Sequence, residues 1–403
     1  MALPEKLYDV VVVGSGPAGS SAACRLAEHG LEVALLEKAS LPRYKTCGGG
    51  IVRRASKLLP VDIQHIVERD CHSAELHFVE QNLHFTTRRQ EPIISMTMRQ
   101  DFDFFLAAAA QRAGVSLFEP CEVLEIASDK GAVQLETTQG SVKARFAIAA
   151  DGAAGVIARK AGRKMARQLI PALECEVHVH GSILERFSSA RFDFGIVPHG
   201  YGWVFPKKNH LSIGVLTTKR HSTNLREAVT KYLQVLGIEV VDNMEQHGFM
   251  LPFGQRARNF VHSRVLLVGD AAGFVDPLTC EGITYAIHSG QLAADAIAES
   301  RLDEALVRNA YHKKLRAEIL PELRYAYLLA LLVYGESSLK GWVFRTYGQR
   351  LCEAVADIVM GKRTYRSIFH NPATYFKLLQ LRNGRNRGIK PTEREEVLGD
   401  FSL

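Results

Sequence analysis

The 403-residue sequence has no apolar run approaching the roughly 20 residues that a membrane-spanning helix needs. Its richest stretch, Tyr325 to Tyr334, suits a buried or interfacial helix, which excludes spanning but not lying on a membrane. The cysteines (Cys24, Cys47, Cys71, Cys121, Cys175, Cys280 and Cys352) are scattered, with no CxxC pair and no Cys/His spacing suited to zinc. That pattern argues for a reducing compartment and against a structural metal. The first residues lack the apolar core and small-residue cleavage site of a signal peptide, so a cytoplasmic protein is expected. There is no low-complexity tract, and 47% hydrophobic with 23% charged residues is an ordinary globular balance. The net charge of +7 suits anionic lipid, a diphosphate or nucleic acid, but the basic residues have no interleaved aromatic platform, so nucleic acid is not expected.

What the chain does contain begins with Asp9 to Val13, a β-branched run suited to a central parallel strand, leading directly into Gly14-Ser15-Gly16-Pro17-Ala18-Gly19. A helix is predicted over Ala18 to Gly30, and a second strand, Glu32 to Leu36, ends at Glu37. In this GxGxxG setting Gly14 makes the tight turn, Gly16 lets the backbone approach a pyrophosphate, and Gly19 allows close packing of helix on strand. The helix N-terminus directs N–H groups at the phosphates. Glu37 follows Gly19 by 18 positions, near the spacing of about 20 at which a carboxylate binds a ribose diol, and it disfavours NADP in this site.

Two further segments favour FAD over NAD. Cys47-Gly48-Gly49-Gly50 forms a loop whose glycines let the backbone pass flat against a planar ligand. Arg264 to Val268 reads as another buried strand, followed by Gly269-Asp270 and then Asp276-Pro277-Leu278-Thr279-Cys280-Glu281-Gly282-Ile283. The strand-end carboxylate suits a ribityl hydroxyl, and a helix opening at Gly282 offers N–H groups to the isoalloxazine. No second GxGxxG follows a strand, so any nicotinamide docks transiently.

With Arg99 ahead of a helix and Asp151-Gly152 after the strand Phe146 to Ala150, residues 7 to 300 resemble the flavoproteins that include p-hydroxybenzoate hydroxylase, and within them the geranylgeranyl reductases. The resemblance implies FAD as cofactor, Arg99 at its pyrophosphate or ribose, Asp151 and Gly152 near the dinucleotide and the nicotinamide approach, and Asp270 on the ribityl chain. Pro17, Ala18, Lys38, Cys47, Gly48, Gly49, Val123, Gly269, Gly282 and Ile283 complete the expected FAD contacts. Within the family, Lys45 to Gly50 is similar to the cysteine-glycine loop of the reductases, and Pro198 to Pro206 matches their PxxYxWxFP motif.

Tyr201, Trp203 and Phe205 alternate along that motif and share one face of a strand. Both a core-facing strand and an aromatic wall for an isoprenoid chain fit the pattern. Cys47 reads either as a small buried hydrophobe or, after Arg43 and Lys45, as a proton donor or pocket shaper beside the flavin. The expected activity is hydride transfer from reduced FAD to an isolated C=C bond of a polyprenyl lipid or diphosphate, with Cys47 and Tyr201 near the reacting bond. NAD(P)H or reduced ferredoxin would supply the electrons. An FAD monooxygenase acting on an apolar or aromatic substrate is the alternative, flavin halogenases are a remoter relation, and a non-catalytic flavin electron carrier is a third class. Lys207 and Lys208 read as a solvated turn or as contacts for a head group. Cys280 departs from the DPLTGEG common among relatives, and would carry strain if the position requires positive φ.

The fold class expected is α/β. A Rossmann-like FAD-binding domain (1–75, 96–165, 255–300) is interleaved with a mixed-sheet substrate domain (76–95, 166–254), and a helical region (301–403) follows, with Pro321 at a helix start. The basic cluster Arg382, Arg385, Arg387 and Lys390 reads as a solvated tail or as a peripheral contact with the inner face of a membrane.

Overall fold

A computed structural model describes residues 4, 6–129, 131–160, 168–219, 223–254, 259–335 and 338–369. The basic cluster at 382–390, the end of the chain and the segment 161–165 lie outside the described residues. The fold is mixed α/β, built on three sheets among the described residues.

The first strand, Leu7–Val13, lies between Gly140–Ala149 and Val33–Leu36, parallel to both. Val10, Val11 and Val12 are fully buried in one core with helical residues such as Ala22 and Leu26 and with Val133 and Leu135, which is why the sequence runs apolar without alternation. Ser116–Phe118 extends the parallel sheet on one side and Val265–Leu267 on the other. Pro17–Glu28 follows the glycine turn, with Pro17 in its first turn and Gly30 in left-handed geometry (φ 77°) just past its end. It packs so closely on Ile283–Glu299 that a Cβ at Gly290 would stand 2.3 Å from the Ala18 carbonyl oxygen.

The second sheet runs Asn243–Phe253, Gln168–His178, Leu211–Thr217, Gly200–Pro206, Ala190–Phe194, Ser73–Phe78 and Leu83–Arg88. One face packs on the helix Leu225–Val235 through Leu173, Cys175, Val177, Ile213 and Val215. The other face looks toward the dinucleotide sheet, and its side chains form one wall of the site. A small sheet of Gly50–Val52, Ile94–Met96 and Arg69–Cys71 lies between the two.

Four helices follow among the described residues: Glu304–Glu318, Leu320–Tyr334, Ser338–Val359 and Tyr365–Phe369. Pro321 does occupy a helix start. Buried Asp276 ties this region to the rest. Its carboxylate accepts from Arg54 at 3.1 Å, from the Tyr365 hydroxyl at 2.8 Å, and from the Leu278 and Thr279 N–H groups. Asp276→Ala would leave the buried Arg54 guanidinium short of a partner, and we expect a loss of about 3–5 kcal/mol in urea unfolding. A loss below about 1 kcal/mol would show that Glu281, 3.0 Å from Arg54, suffices alone.

A flavin cradle continuous with an aromatic chamber

A single cavity of about 950 Å³ runs from the glycine turn to the C-terminal helices. At one end it is lined by Gly14, Gly16, Pro17, Ala18, Glu37, Lys38, Val123, Asp151, Gly152, Asp270, Gly282 and Ile283. Cys47, Gly48, Gly49 and Arg99 lie midway, and Tyr201, Trp203 and Phe205 wall the far part. Gly19 and Gly269 are set back from the lining and act through packing.

The cradle tests well for a dinucleotide. A Cβ at Gly16 would meet no heavy atom within 4 Å, so the turn opens onto the cavity at that residue. A Cβ at Gly19 would stand 1.8 Å from the Gly14 carbonyl oxygen, and one at Gly14 2.5 Å from that of Ala150. These contacts seat the helix Pro17–Glu28 with its N-terminus toward the cavity, and no side chain caps it. The helix Ile283–Glu299 likewise begins at the lining residue Gly282, whose Cβ position is 3.1 Å from Asp270 Oδ1.

The carboxylates are more occupied than the spacing suggests. Glu37 Oε2 accepts from the Ser15 N–H at 3.0 Å and the Ser15 hydroxyl at 2.7 Å, and Arg43 Nε lies 3.2 Å from its Oε1. Burial opposes ionisation, but Arg43 and Ser15 outweigh it and hold the Glu37 carboxyl below its ordinary range. Asp151 Oδ2 caps the short helix Ile157–Lys160 by accepting from the Ile157 N–H at 2.9 Å. Arg43 bridges Glu37 to Asp103, so it does not serve Cys47 as the sequence suggests. That place is taken by Arg99, which binds both Asp103 oxygens at 2.9 and 3.0 Å and lies beside the Cys47 thiol. Burial disfavours the Arg99 charge, yet Asp103 and Cys47 more than compensate and keep it cationic.

The glycine loop owes its composition to protein contacts. A Cβ at Gly48 would stand 2.7 Å from the Phe205 ring and 3.1 Å from Trp203 Nε1. At Gly49, with φ at +66°, it would stand 2.0 Å from the Thr97 carbonyl oxygen. Lys207, read from the sequence as a turn or a head-group contact, is fully buried. Its ammonium donates to the Gly48 carbonyl at 2.8 Å and the Thr97 carbonyl at 2.6 Å, because strand alternation carries it onto the same face as Phe205.

Tyr201 and Trp203 are each 5% exposed. The Tyr201 hydroxyl donates to the Thr279 carbonyl at 2.8 Å, and burial, with Cys280 second, raises its phenol well above the ordinary range. The Trp203 ring rests on Gly214, where a Cβ would stand 2.0 Å away, and its indole N–H has no hydrogen-bond partner among the described residues. Phe192, Phe194, Leu216, Phe249 and Leu251 widen the wall. Leu329, Leu332, Val333, Phe344, Leu351 and Val355, from helices whose role the sequence did not resolve, close it opposite. Cys280 does adopt positive φ (57°), and burial followed by Asp276 pushes its thiol up to about 12, so it is a neutral group at the chamber edge.

The parallel sheet, its glycine turn and a cradle continuous with an apolar chamber define an FAD-dependent oxidoreductase. Residues 7–308 match the FAD binding domain family. The chain is 30% identical over 311 residues to the geranylgeranyl diphosphate reductase of Rhodobacter capsulatus, spanning 72% of this chain and 74% of that protein. It is 29% identical over 339 residues to a menaquinone reductase of Mycobacterium tuberculosis, covering 75% and 80%. A geranylgeranyl bacteriochlorophyll reductase-like structure from Thermoplasma acidophilum superposes with a TM-score of 0.72 at 23% identity, over 88% of this chain and 92% of that one. A flavin-dependent brominase reaches the same TM-score at 20% identity, over 95% and 100%, so the fold is common to reductases and halogenases. The chain belongs to the geranylgeranyl reductase family of FAD-dependent oxidoreductases.

Because Gly19 tolerates no side chain without moving the turn, Gly19→Ala is expected to weaken FAD binding at least about tenfold, or ~1.4 kcal/mol, in flavin fluorescence titrations. Unchanged affinity would mean that the turn relaxes without harm to the cradle.

Proposed function

We propose that the protein saturates isolated C=C bonds in the polyprenyl chain of a lipid or diphosphate. The observation that carries this reading is the continuity of the cradle with a chamber walled by Tyr201, Trp203 and Phe205 and closed by apolar helices. Such a chamber takes a long hydrocarbon and excludes water from the reacting bond.

Reduced FAD, when bound, supplies the hydride. The chain supplies the proton for the other carbon, and Cys47 is our donor, since it lines the cavity between the cradle and the aromatic wall. Arg99 beside the thiol suits that role, because its fixed positive charge stabilises the thiolate left by proton transfer. Tyr201 shapes the wall and orients the chain, its hydroxyl being committed to Thr279. The unpartnered Trp203 N–H offers the chamber one polar anchor. Electrons reach the site from NAD(P)H or reduced ferredoxin docking transiently.

No helix among the described residues is long and apolar enough to cross a membrane. Exposed Tyr327, Leu328 and Leu331 share the helix whose other residues Leu329, Leu332 and Val333 line the cavity. This ridge supports a peripheral membrane contact through which a lipid substrate enters.

The test is anaerobic reduction of the flavin with dithionite, then addition of geranylgeranyl diphosphate or menaquinone and product mass analysis. Flavin reoxidation with a product heavier by two hydrogens per reduced bond is expected. A flavin that stays reduced until oxygen is admitted would favour the monooxygenase. Cys47→Ser should retain FAD and slow reoxidation by about 10²-fold or more, the usual scale for losing a general acid. An unchanged rate would remove Cys47 from the mechanism.

A further inference from the structure

The wall strand does not end its business at Phe205. Trp203 pairs across Gly214 with Glu174, and Phe205 across Ser212 with Glu176, so the face that is aromatic on one strand is acidic two strands away. Glu174, Lys207 and Ser212 are fully buried, and Glu176 is nearly so. The Ser212 hydroxyl donates to Glu174 Oε1 at 2.8 Å. Above this patch lies the Cys47 loop. One residue past the cysteine, the Gly48 carbonyl accepts from Lys207 at 2.8 Å. The loop is thus held just beyond Cys47 by a buried cation from the other sheet.

We propose that Lys207 is a positioning residue that clamps the loop just beyond Cys47 through the Gly48 carbonyl and so sets where the Cys47 thiol stands in the cavity. The proposal rests on Cys47 being the proton donor, but the clamp is measurable without turnover. Because Lys207 also holds Thr97 at 2.6 Å, the ammonium fixes the loop against the segment that leads into the Arg99 helix. One cation therefore sets the register between the thiol and the guanidinium beside it.

Burial first, and Glu176 second, push the Glu174 carboxyl up to about 7, against the pull of Ser212, Lys207 and the Cys47 N–H. Burial lowers the Lys207 ammonium, while Glu176, Glu174, Glu68 and Cys47 oppose the shift. Around the pair, His210 Nε2 lies 3.0 Å from Glu176 and stacks on His178, and Tyr44 faces both glutamates while packing on His247, near Glu245.

Hydrogen exchange of the peptide 43–50 in the FAD-loaded protein tests the clamp. Lys207→Met should lower its protection about tenfold, with no such change in a peptide from the central parallel sheet. Lys207→Arg, which can still donate to two carbonyls, should restore part of it. Full protection in Lys207→Met would overturn the proposal. Should Lys207→Met fail to fold, Lys207→Gln serves: its shorter amide should lower protection in the same peptide, and unchanged exchange there overturns the clamp. A protein that passes these tests yet forms no saturated product keeps the clamp and loses the reductase reading.

Discussion

Everything in the site depends on one steric constraint: the chain from Cys47 to Gly50 has to thread between two sheets where there is no room for side chains. Phe205 and Trp203 close on Gly48 from one side, and the Thr97 carbonyl closes on Gly49 from another. With those positions filled only by hydrogen, the thiol of Cys47 is delivered to the boundary between the dinucleotide cradle and the aromatic chamber. Any side chain at Gly48 would move the loop, and with it the thiol, the Arg99 contact and the shape of the passage.

The sheet that forms the wall divides its labour by strand alternation. Along Gly200–Pro206 the cavity-facing residues are aromatic, and the same period places Lys207 beneath the loop. Along Gln168–His178, Ile170 and Ala172 pack with Tyr201 and Trp203, while Glu174 and Glu176 continue the same face, with Glu174 bonded to Ser212. One face of one sheet therefore presents hydrocarbon to the chamber and charge to the loop, so that the buried ions stay away from the apolar part of the cavity. Gly214 matters to this arrangement because the Trp203 ring occupies the space its side chain would fill.

Much of the cradle was legible in the sequence because its constraints are local. The run Asp9 to Val13, the glycine turn and the helix after it are contiguous; close contacts explain Gly14 and Gly19, and Gly16 opens onto the cavity. The alternation of Tyr201, Trp203 and Phe205 likewise announced a shared face. What stayed hidden depends on partners far away in the chain. Two lysines after a proline look like a solvated turn until Thr97 and Gly48 arrive to bury the first of them. Arg43 looks available to Cys47 until Asp103 and Glu37 claim it. The apolar helices after Leu320 carry no motif, and only packing shows that Leu329, Val333 and Phe344 close the chamber. Cys280 was the reverse case: its strain was legible, and the structure shows the positive φ together with a neutral thiol beside Tyr201 and Tyr334.

The central claim is that a polyprenyl chain lies in the chamber with a double bond beside Cys47. A crystal structure of the oxidised, FAD-loaded protein with geranylgeranyl diphosphate tests this most directly. The account predicts continuous density along Tyr201, Trp203 and Phe205 and between the helices Leu320–Tyr334 and Ser338–Val359, passing within contact of the Cys47 thiol. A chain bound elsewhere on the surface, or a chamber filled by the flavin alone, would contradict it.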